Sequence, residues 1–127
     1  MRIFTSREFT RFARKNRIGD SDLCNAIAEI VAGKADANLG GGVYKQRIAR
    51  QGQGKSGGFR TIVLLRHGTL AVFAYGFAKN DRANITAAEL EAWRRIAKDL
   101  LVDRSAVQLA IEQGKLIEVT CHEEPIP

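Results

Sequence analysis

Residues 43–85 read VYKQRIARQGQGKSGGFRTIVLLRHGTLAVFAYGFAKNDRANI, and this stretch decides the fold of the 127-residue chain. Three of its segments are rich in β-branched, aromatic and aliphatic residues and are separated by glycine-rich or turn residues. They predict a three-stranded meander with strands Val43 to Arg50, Phe59 to Arg66 and Leu70 to Phe77. The polar segment QGQGKSGG predicts a loop, and His67-Gly68 predicts a two-residue hairpin turn.

The flanking segments add helices and two short strands. They predict, in chain order, a strand from Arg2 to Phe4, helices beginning near Ser6 and after Asp20-Ser21, a helix opened by a capping box of Thr86 and Glu89, a helix from Ser105 to Gln113 and an edge strand from Leu116 to Val119. The spacing around Trp93 favours a core position for its side chain. We therefore expect one α+β domain over residues 1–127, with an antiparallel sheet of about four strands, N-terminal helices packed on one face and a C-terminal helix.

The distribution of charge points to a polyanion as partner. The net charge is +6, and no acidic residue occurs from Ala37 to Asn80. The basic residues of that region are Lys45, Arg47, Arg50, Lys55, Arg60, Arg66 and Lys79. A basic region without neutralising carboxylates is typical of nucleic-acid binding, although an ordinary solvated charged face is the alternative.

The predicted hairpin turn fixes which side chains share a face of the sheet. It pairs Arg66 with Thr69, Leu64 with Ala71, Ile62 with Phe73 and Arg60 with Tyr75. Phe77 and Lys79 then follow Tyr75 on the face of Arg60, and Lys45 and Arg47 share one side of their own strand. The opposite face is expected to be apolar and to meet the helices, with residues Phe59, Thr61, Val63, Leu65, Leu70, Val72 and Ala74.

Cations and aromatic rings on one face are suited to holding phosphates and stacking bases. Tyr75 and Phe77 fit a core position equally well, because aromatic residues are common in strands for packing alone. Arg60 has no acidic neighbour in sequence and would be costly to bury unpaired, so we expect it to be exposed to a ligand.

Two other site classes are not supported. Gly54-Lys55-Ser56 looks like the end of a P-loop, but Ala49 stands where that motif has glycine and the loop joins two strands. His67 in the predicted turn and His122 in the tail form neither a metal site nor a hydrolase triad. We expect neither a metal nor another cofactor.

Cysteine use and hydropathy favour a cytoplasmic protein. The two cysteines, Cys24 and Cys121, are expected to be free thiols in a reducing compartment. The start of the chain has no apolar run typical of a signal peptide, and no stretch of 18 uncharged apolar residues occurs.

The segment Val43 to Ile85 resembles the RelE and HigB group of type II toxin–antitoxin toxins, in particular the subgroup with a GKSGGxR loop and an FAK end to the next strand. The N-terminal helices and the ending KLIEVTCH are also similar to that subgroup. The resemblance implies a fold of the microbial-ribonuclease type and metal-independent cleavage of messenger RNA in the ribosomal A site. It further implies a DNA-binding antitoxin as partner, of the helix-turn-helix type, and assembly only through the antitoxin complex.

The resemblance also assigns roles to individual residues. In that family the ribose 2′-hydroxyl attacks the adjacent phosphate, and basic strand residues at the positions of Lys45 and Arg47 serve proton transfer and phosphate contact. Arg60 would stabilise the pentavalent phosphate, and Lys79 completes the expected catalytic set. The expected RNA contacts are Lys55, Tyr75, Phe77 and Arg82.

The chain departs from the family pattern at two positions and leaves a second function open. Asn80 stands where RelE has a basic residue, and Thr86 stands where it has a tyrosine. Because no strong general base is present, cleavage of free RNA is expected to be slow and the ribosome to orient the substrate. The alternative is a gyrase-inhibiting toxin of the ParE type or a non-catalytic nucleic-acid-binding regulator.

Overall fold

The computed structural model describes residues 1–50, 57–122 and 126. Its elements are β1 (Arg2–Ser6), α1 (Arg7–Lys15), α2 (Asp20–Val31), β2 (Ala37–Gly40), β3 (Val43–Ile48), β4 (Phe59–Arg66), β5 (Leu70–Ala78), α3 (Ala87–Leu100), α4 (Arg104–Glu112) and β6 (Leu116–Val119). The predicted bounds of β4 and β6 are confirmed, and the other predicted elements differ at their ends by a few residues. β3 ends at Ile48, two residues before the predicted Arg50. The predicted α+β class is therefore confirmed.

The sheet has six strands in the order β2-β3-β4-β5-β1-β6, where about four were expected. Neighbouring strands are antiparallel except β1 and β5, which are parallel. The additional strand, β2, is only four residues long and pairs with the outer edge of β3. The meander β3-β4-β5 consequently lies inside the sheet, with other strands on both sides.

The register between β4 and β5 corrects the predicted one. Arg66 lies opposite Leu70, so three residues rather than two connect the strands, and Gly68 takes a φ of +75° there. A second irregularity between Ile62 and Val63 moves the pairing by one more residue. Arg60 therefore faces Phe77 rather than Tyr75. The hairpin turn was predicted at the right place but with the wrong length.

Helices cover both faces of the sheet and form two hydrophobic cores. The core under α1 and α2 includes Phe59, Val63 and Leu65, as predicted for that face. The core under α3 and α4 contains Leu70, Val72 and Ala74, which were predicted on the first face. The register shift near the turn causes this error, because a slip of one residue turns each side chain to the other face.

The helix starts agree with local sequence signals. Ser6 accepts a hydrogen bond from the Phe9 amide at 3.0 Å, and Thr86 forms the predicted capping box with Glu89. α2 begins at Asp20, two residues earlier than expected, with Gly19 as its N-cap and the Asp22 carboxylate accepting from the Gly19 amide at 3.0 Å.

The two cysteines form a disulfide, which corrects the expectation of free thiols. Cys24 in α2 is bonded to Cys121, just after β6, with a Cα–Cα distance of 6.0 Å. The bond ties the segment after β6 to α2 across a sequence separation of 97 residues. Within the described residues, no helix is both long and apolar enough to cross a membrane.

Candidate nucleic-acid interface

The face of the sheet beneath α3 carries a compact array of basic and aromatic residues. In one row across β3, β4 and β5, Lys45 pairs with Ile62 and Ile62 pairs with Tyr75. In the next row on the same side of the sheet, Arg47 pairs with Arg60, and Arg60 pairs with Phe77. Neighbouring strands lie about 4.8 Å apart and successive side chains on one face about 6.7 Å apart, so the backbone positions of the array span roughly 10 by 7 Å. We call these positions the basic array.

Arg60 stands in the middle of this array and is buried, with 9% of its surface exposed. This corrects the expectation that it is openly exposed. Phe59 and Thr61 on either side are also buried, which anchors the backbone that carries the guanidinium. The field of its guanidinium is weakly screened because little water surrounds the side chain.

The aromatic residues of the array pack mainly against protein. Phe77 is buried, and Tyr75 is half-buried with its ring stacked on Trp93 at a centroid distance of 6.2 Å. Trp93 belongs to the residues packed against the core under α3, in line with its predicted position. The contact of Tyr75 and Phe77 with RNA stays a prediction.

Arg82 closes one side of the array through contacts that the sequence did not reveal. Its guanidinium carbon lies 5.8 Å from the centre of the Tyr75 ring and 5.5 Å from that of Phe77. It also donates to the Tyr75 hydroxyl at 3.2 Å and to both carboxylate oxygens of Glu89. This clamp connects the loop after β5 to the first turn of α3.

The Arg82–Glu89 pair shifts both titrations in the sense expected for an ion pair. Hydrogen bonds from Arg82, helped by the Thr86 amide, lower the pKa of Glu89 from its ordinary value of 4.5 to about 2. Hydrogen bonding to Glu89, and then to Tyr75, raises the pKa of Arg82. Glu89 could have been suspected from the capping box, but its pairing with Arg82 depends on the path of the loop.

Arg47 shares the array through its backbone, while its guanidinium is paired elsewhere. Its Nε lies 2.9 Å from the Asp36 carboxylate, which precedes β2. Arg47 also lines a cavity of about 160 Å³ beside α2, together with Asp22, Asn25 and Glu29. Phosphate contact by Arg47 therefore requires exchange of Asp36 for the phosphate.

The remaining site candidates lie outside the array or outside the described residues. Lys79 is exposed and follows the last residue of β5. Lys55, with the former P-loop candidate Gly54-Lys55-Ser56, falls outside the described residues. Across residues 1–50, 57–122 and 126, no three His, Cys, Asp or Glu side chains are grouped in a way that could hold a metal ion. His67 is exposed in the turn, where its Nε2 is 3.1 Å from the Tyr44 hydroxyl.

Comparison with known proteins gives one result for most of the chain. Residues 1–119 match the family model described as the RelE toxin of the RelE / RelB toxin-antitoxin system. A search of curated proteins found no match. The matched range includes every strand of the sheet and all the residues of the basic array.

Proposed function

Because the chain belongs to the RelE family of toxins, and is thus a toxin with an antitoxin as partner, we propose that it is a ribosome-dependent messenger-RNA endonuclease. The observation that carries the proposal is the basic array, in which Lys45 and Arg60 share one face with Tyr75 and Phe77. Cations placed in two neighbouring rows on one face of a sheet suit contact with an RNA phosphate.

The reaction that this face suits is attack of a ribose 2′-hydroxyl on the adjacent phosphate. The oxygen–phosphorus bond to the 2′-oxygen forms and the bond to the 5′-oxygen breaks, which leaves a 2′,3′-cyclic phosphate and a 5′-hydroxyl. The 2′-hydroxyl loses a proton and the departing 5′-oxygen gains one, so the overall reaction consumes no proton. Lys45 is the proposed proton-transfer residue of the array.

Arg60 is the proposed stabiliser of the charge that builds on the phosphate. Its guanidinium offers several N–H donors in a fixed plane, and the surrounding buried residues hold it in place before substrate binds. A preorganised donor of this kind contributes roughly 3 kcal/mol to the barrier of comparable reactions. Loss of Arg60 should therefore lower the cleavage rate on the order of a hundredfold.

Arg82 and Lys79 have different proposed contributions. Since Arg82 is paired with Glu89 and covers the Tyr75 and Phe77 rings, we assign it to positioning these aromatic residues. Lys79 is exposed at the rim and would contact a neighbouring phosphate. The array alone does not hold the message in an extended form. Cleavage within codons therefore depends on the ribosome to present the message in that form.

The proposal is tested by primer extension on messages from cells that briefly express the chain without antitoxin. We expect cuts inside translated codons, and we expect them to disappear in Lys45→Ala and Arg60→Lys. Arg60→Lys keeps a buried charge and Lys45 is only half-buried, so these variants should fold; Arg95→Ala, at an exposed position on α3, is the matched control.

Two results would contradict the proposal. Intact messages with persisting growth arrest would indicate the gyrase-inhibiting alternative. Cuts that persist in both Lys45→Ala and Arg60→Lys would show that cleavage does not depend on the basic array. Neutralisation by a DNA-binding antitoxin of the helix-turn-helix type, which we also propose, is checked by co-expression of the neighbouring gene and recovery of growth.

A further inference from the structure

Helix α1 carries a stripe of cations on the side that faces away from the sheet. Arg7, Arg11, Arg14 and Lys15 follow the spacing i, i+4, i+7 and i+8, so they fall within an arc of about 100° on the helix surface. The buried residues of the helix, Phe9 and Ala13, lie on the other side. The one acidic residue in α1 is Glu8.

Most of these cations have no role in holding the structure together. Arg7 donates to the carbonyl oxygens of Gln113 and Gly114, at 3.2 and 3.4 Å. Arg11, Arg14 and Lys15 are exposed, and among the described residues their side chains have no hydrogen-bond or ion-pair partner. Like charges three or four residues apart repel and weaken a helix.

The helix dipole explains only part of this stripe. Arg14 and Lys15 lie in the last turn of α1, where a positive charge interacts favourably with the unpaired carbonyl groups. Arg11 lies in the middle of the helix and gains nothing from that effect. The stripe is therefore not accounted for by helix stability.

Arg17, just beyond α1, adds an independent observation. It has a φ of +56°, the only positive value for a residue other than glycine within the described chain. The Ile18 amide bonds to the Ala13 carbonyl at 2.9 Å and the Arg17 amide to the Arg14 carbonyl at 3.3 Å, which is the helix ending that usually has glycine at this position. An arginine is strained there, so its presence indicates a use for its side chain.

The stripe lies behind the basic array, at the same end of the sheet. The Phe9 ring contacts Phe73, and one turn later the Phe12 ring lies 5.6 Å from Phe59, so α1 runs toward the end of the sheet that carries the array. Phe59 precedes Arg60, and their side chains point to opposite faces. Arg50 joins this side, with its guanidinium 4.9 Å from the centre of the Phe59 ring.

We propose that Arg11, Arg14, Lys15 and Arg17, here called the rear surface, bind the phosphate backbone of ribosomal RNA while the basic array holds the message. This inference rests on the proposed function, since it assigns the rear surface to docking on the ribosome. A group of exposed cations favours contact with the phosphate backbone over recognition of bases. The toxin would then lie between two RNA strands, one on each face of the sheet.

The surface chemistry favours RNA over a protein partner. Protein interfaces usually have an apolar centre, and the large exposed hydrophobic residues among the described residues lie elsewhere. They are Ile96, Val102, Leu109 and Ile117, on or beside α3, α4 and β6. The rear surface is formed by cations, which is what binding of a phosphate backbone requires.

The test is binding of the full chain to purified bacterial ribosomes stripped of messenger RNA, measured over a range of salt concentrations. We expect Arg11→Gln, Arg14→Gln and Lys15→Gln together to weaken binding about tenfold or more and to reduce the salt slope by about 3. The matched control, Arg95→Gln, Lys98→Gln and Lys115→Gln, removes the same charge from exposed positions elsewhere and should leave the slope nearly unchanged.

Arg17→Gly separates a binding role from a structural one. Glycine relieves the strained backbone, so the melting temperature should rise by a few degrees, while the salt slope should fall by about 1. On ribosome-bound message the rear variants should raise KM and leave kcat unchanged, whereas Arg60→Lys should lower kcat.

Two outcomes would overturn the inference. In the first, the triple variant binds ribosomes as the wild type does, whether or not it loses antitoxin binding. In the second, the control triple variant loses as much affinity for ribosomes. The inference and the proposed function fail separately, because ribosome binding is measured without cleavage. A chain that binds through the rear surface but cuts no message would refute only the nuclease.

Discussion

Removing the disulfide between Cys24 and Cys121, which both pack against the core under α1 and α2, should cause a substantial loss of stability. The bond closes a sequence separation of 97 residues. For a loop on the order of 100 residues, the loss of chain entropy in the unfolded state gives about 4.7 kcal/mol as an upper value, and typical measured effects are about 2–4 kcal/mol. We expect the double variant Cys24→Ser and Cys121→Ser to lose about 2–4 kcal/mol of unfolding free energy.

The assay is urea unfolding of the wild type with and without a reducing agent. With a slope of about 2 kcal/mol per molar urea, in the middle of the usual range, the midpoint should fall by roughly 1–2 M on reduction. The reducing agent should not change the midpoint of the double serine variant. Equal midpoints for oxidised and reduced wild type would refute the reasoning, because the bond would then constrain no part of the unfolded chain.

Two further predictions concern the sheet and the clamp. Gly76→Ala should destabilise the fold by about 1–3 kcal/mol, measured by the same unfolding assay, because a methyl group there would lie 2.6 Å from the Phe12 ring. Glu89→Gln should remove a stability contribution that is present above the ordinary pKa of 4.5 and disappears as pH falls toward 2, since Arg82 lowers the pKa of the folded carboxyl. Thermal melts from pH 7 to 2 should show the two curves converging at low pH; a constant gap would contradict this.

The positions of the strands were predicted well because they depend on the residue types within each strand and at its ends. β-Branched and aromatic runs bounded by glycine define β4 within its observed limits, and the Thr86 capping box locates the start of α3. The short β2 was missed because Ala37–Gly40 has neither the length nor the composition of a strand, and it forms only by pairing with β3.

The two register shifts between β4 and β5 explain why Tyr75 and Arg60 share a side of the sheet although their predicted pairing was wrong. The turn displaces the pairing by one residue, and the irregularity after Ile62 displaces it by one more. Near the turn, the single slip places Leu70 and Val72 on the wrong face. At the far end, the two slips together restore the original face, so Tyr75 still shares the side of Arg60, although Phe77 is the residue directly opposite.

Other features depend on the tertiary fold and could not be predicted. Cys24 and Cys121 come together only when the end of β6 passes beside α2. The pairing of Arg47 with Asp36 depends on the edge strand β2, which the sequence did not reveal. The burial of Arg60 likewise results from layers above and below the sheet and not from its neighbours in sequence.

The placement of the basic array on inner strands has a consequence for how the toxin is controlled. Lys45 and Arg60 lie on β3 and β4, whose backbones are bonded to neighbours on both sides, so the sheet itself fixes their spacing. Arg82 lies on a loop, where Glu89, the Tyr75 hydroxyl and the Tyr75 and Phe77 rings hold its side chain against the array. A partner that displaces α3 or this loop would therefore expose Tyr75 without moving the charged rows.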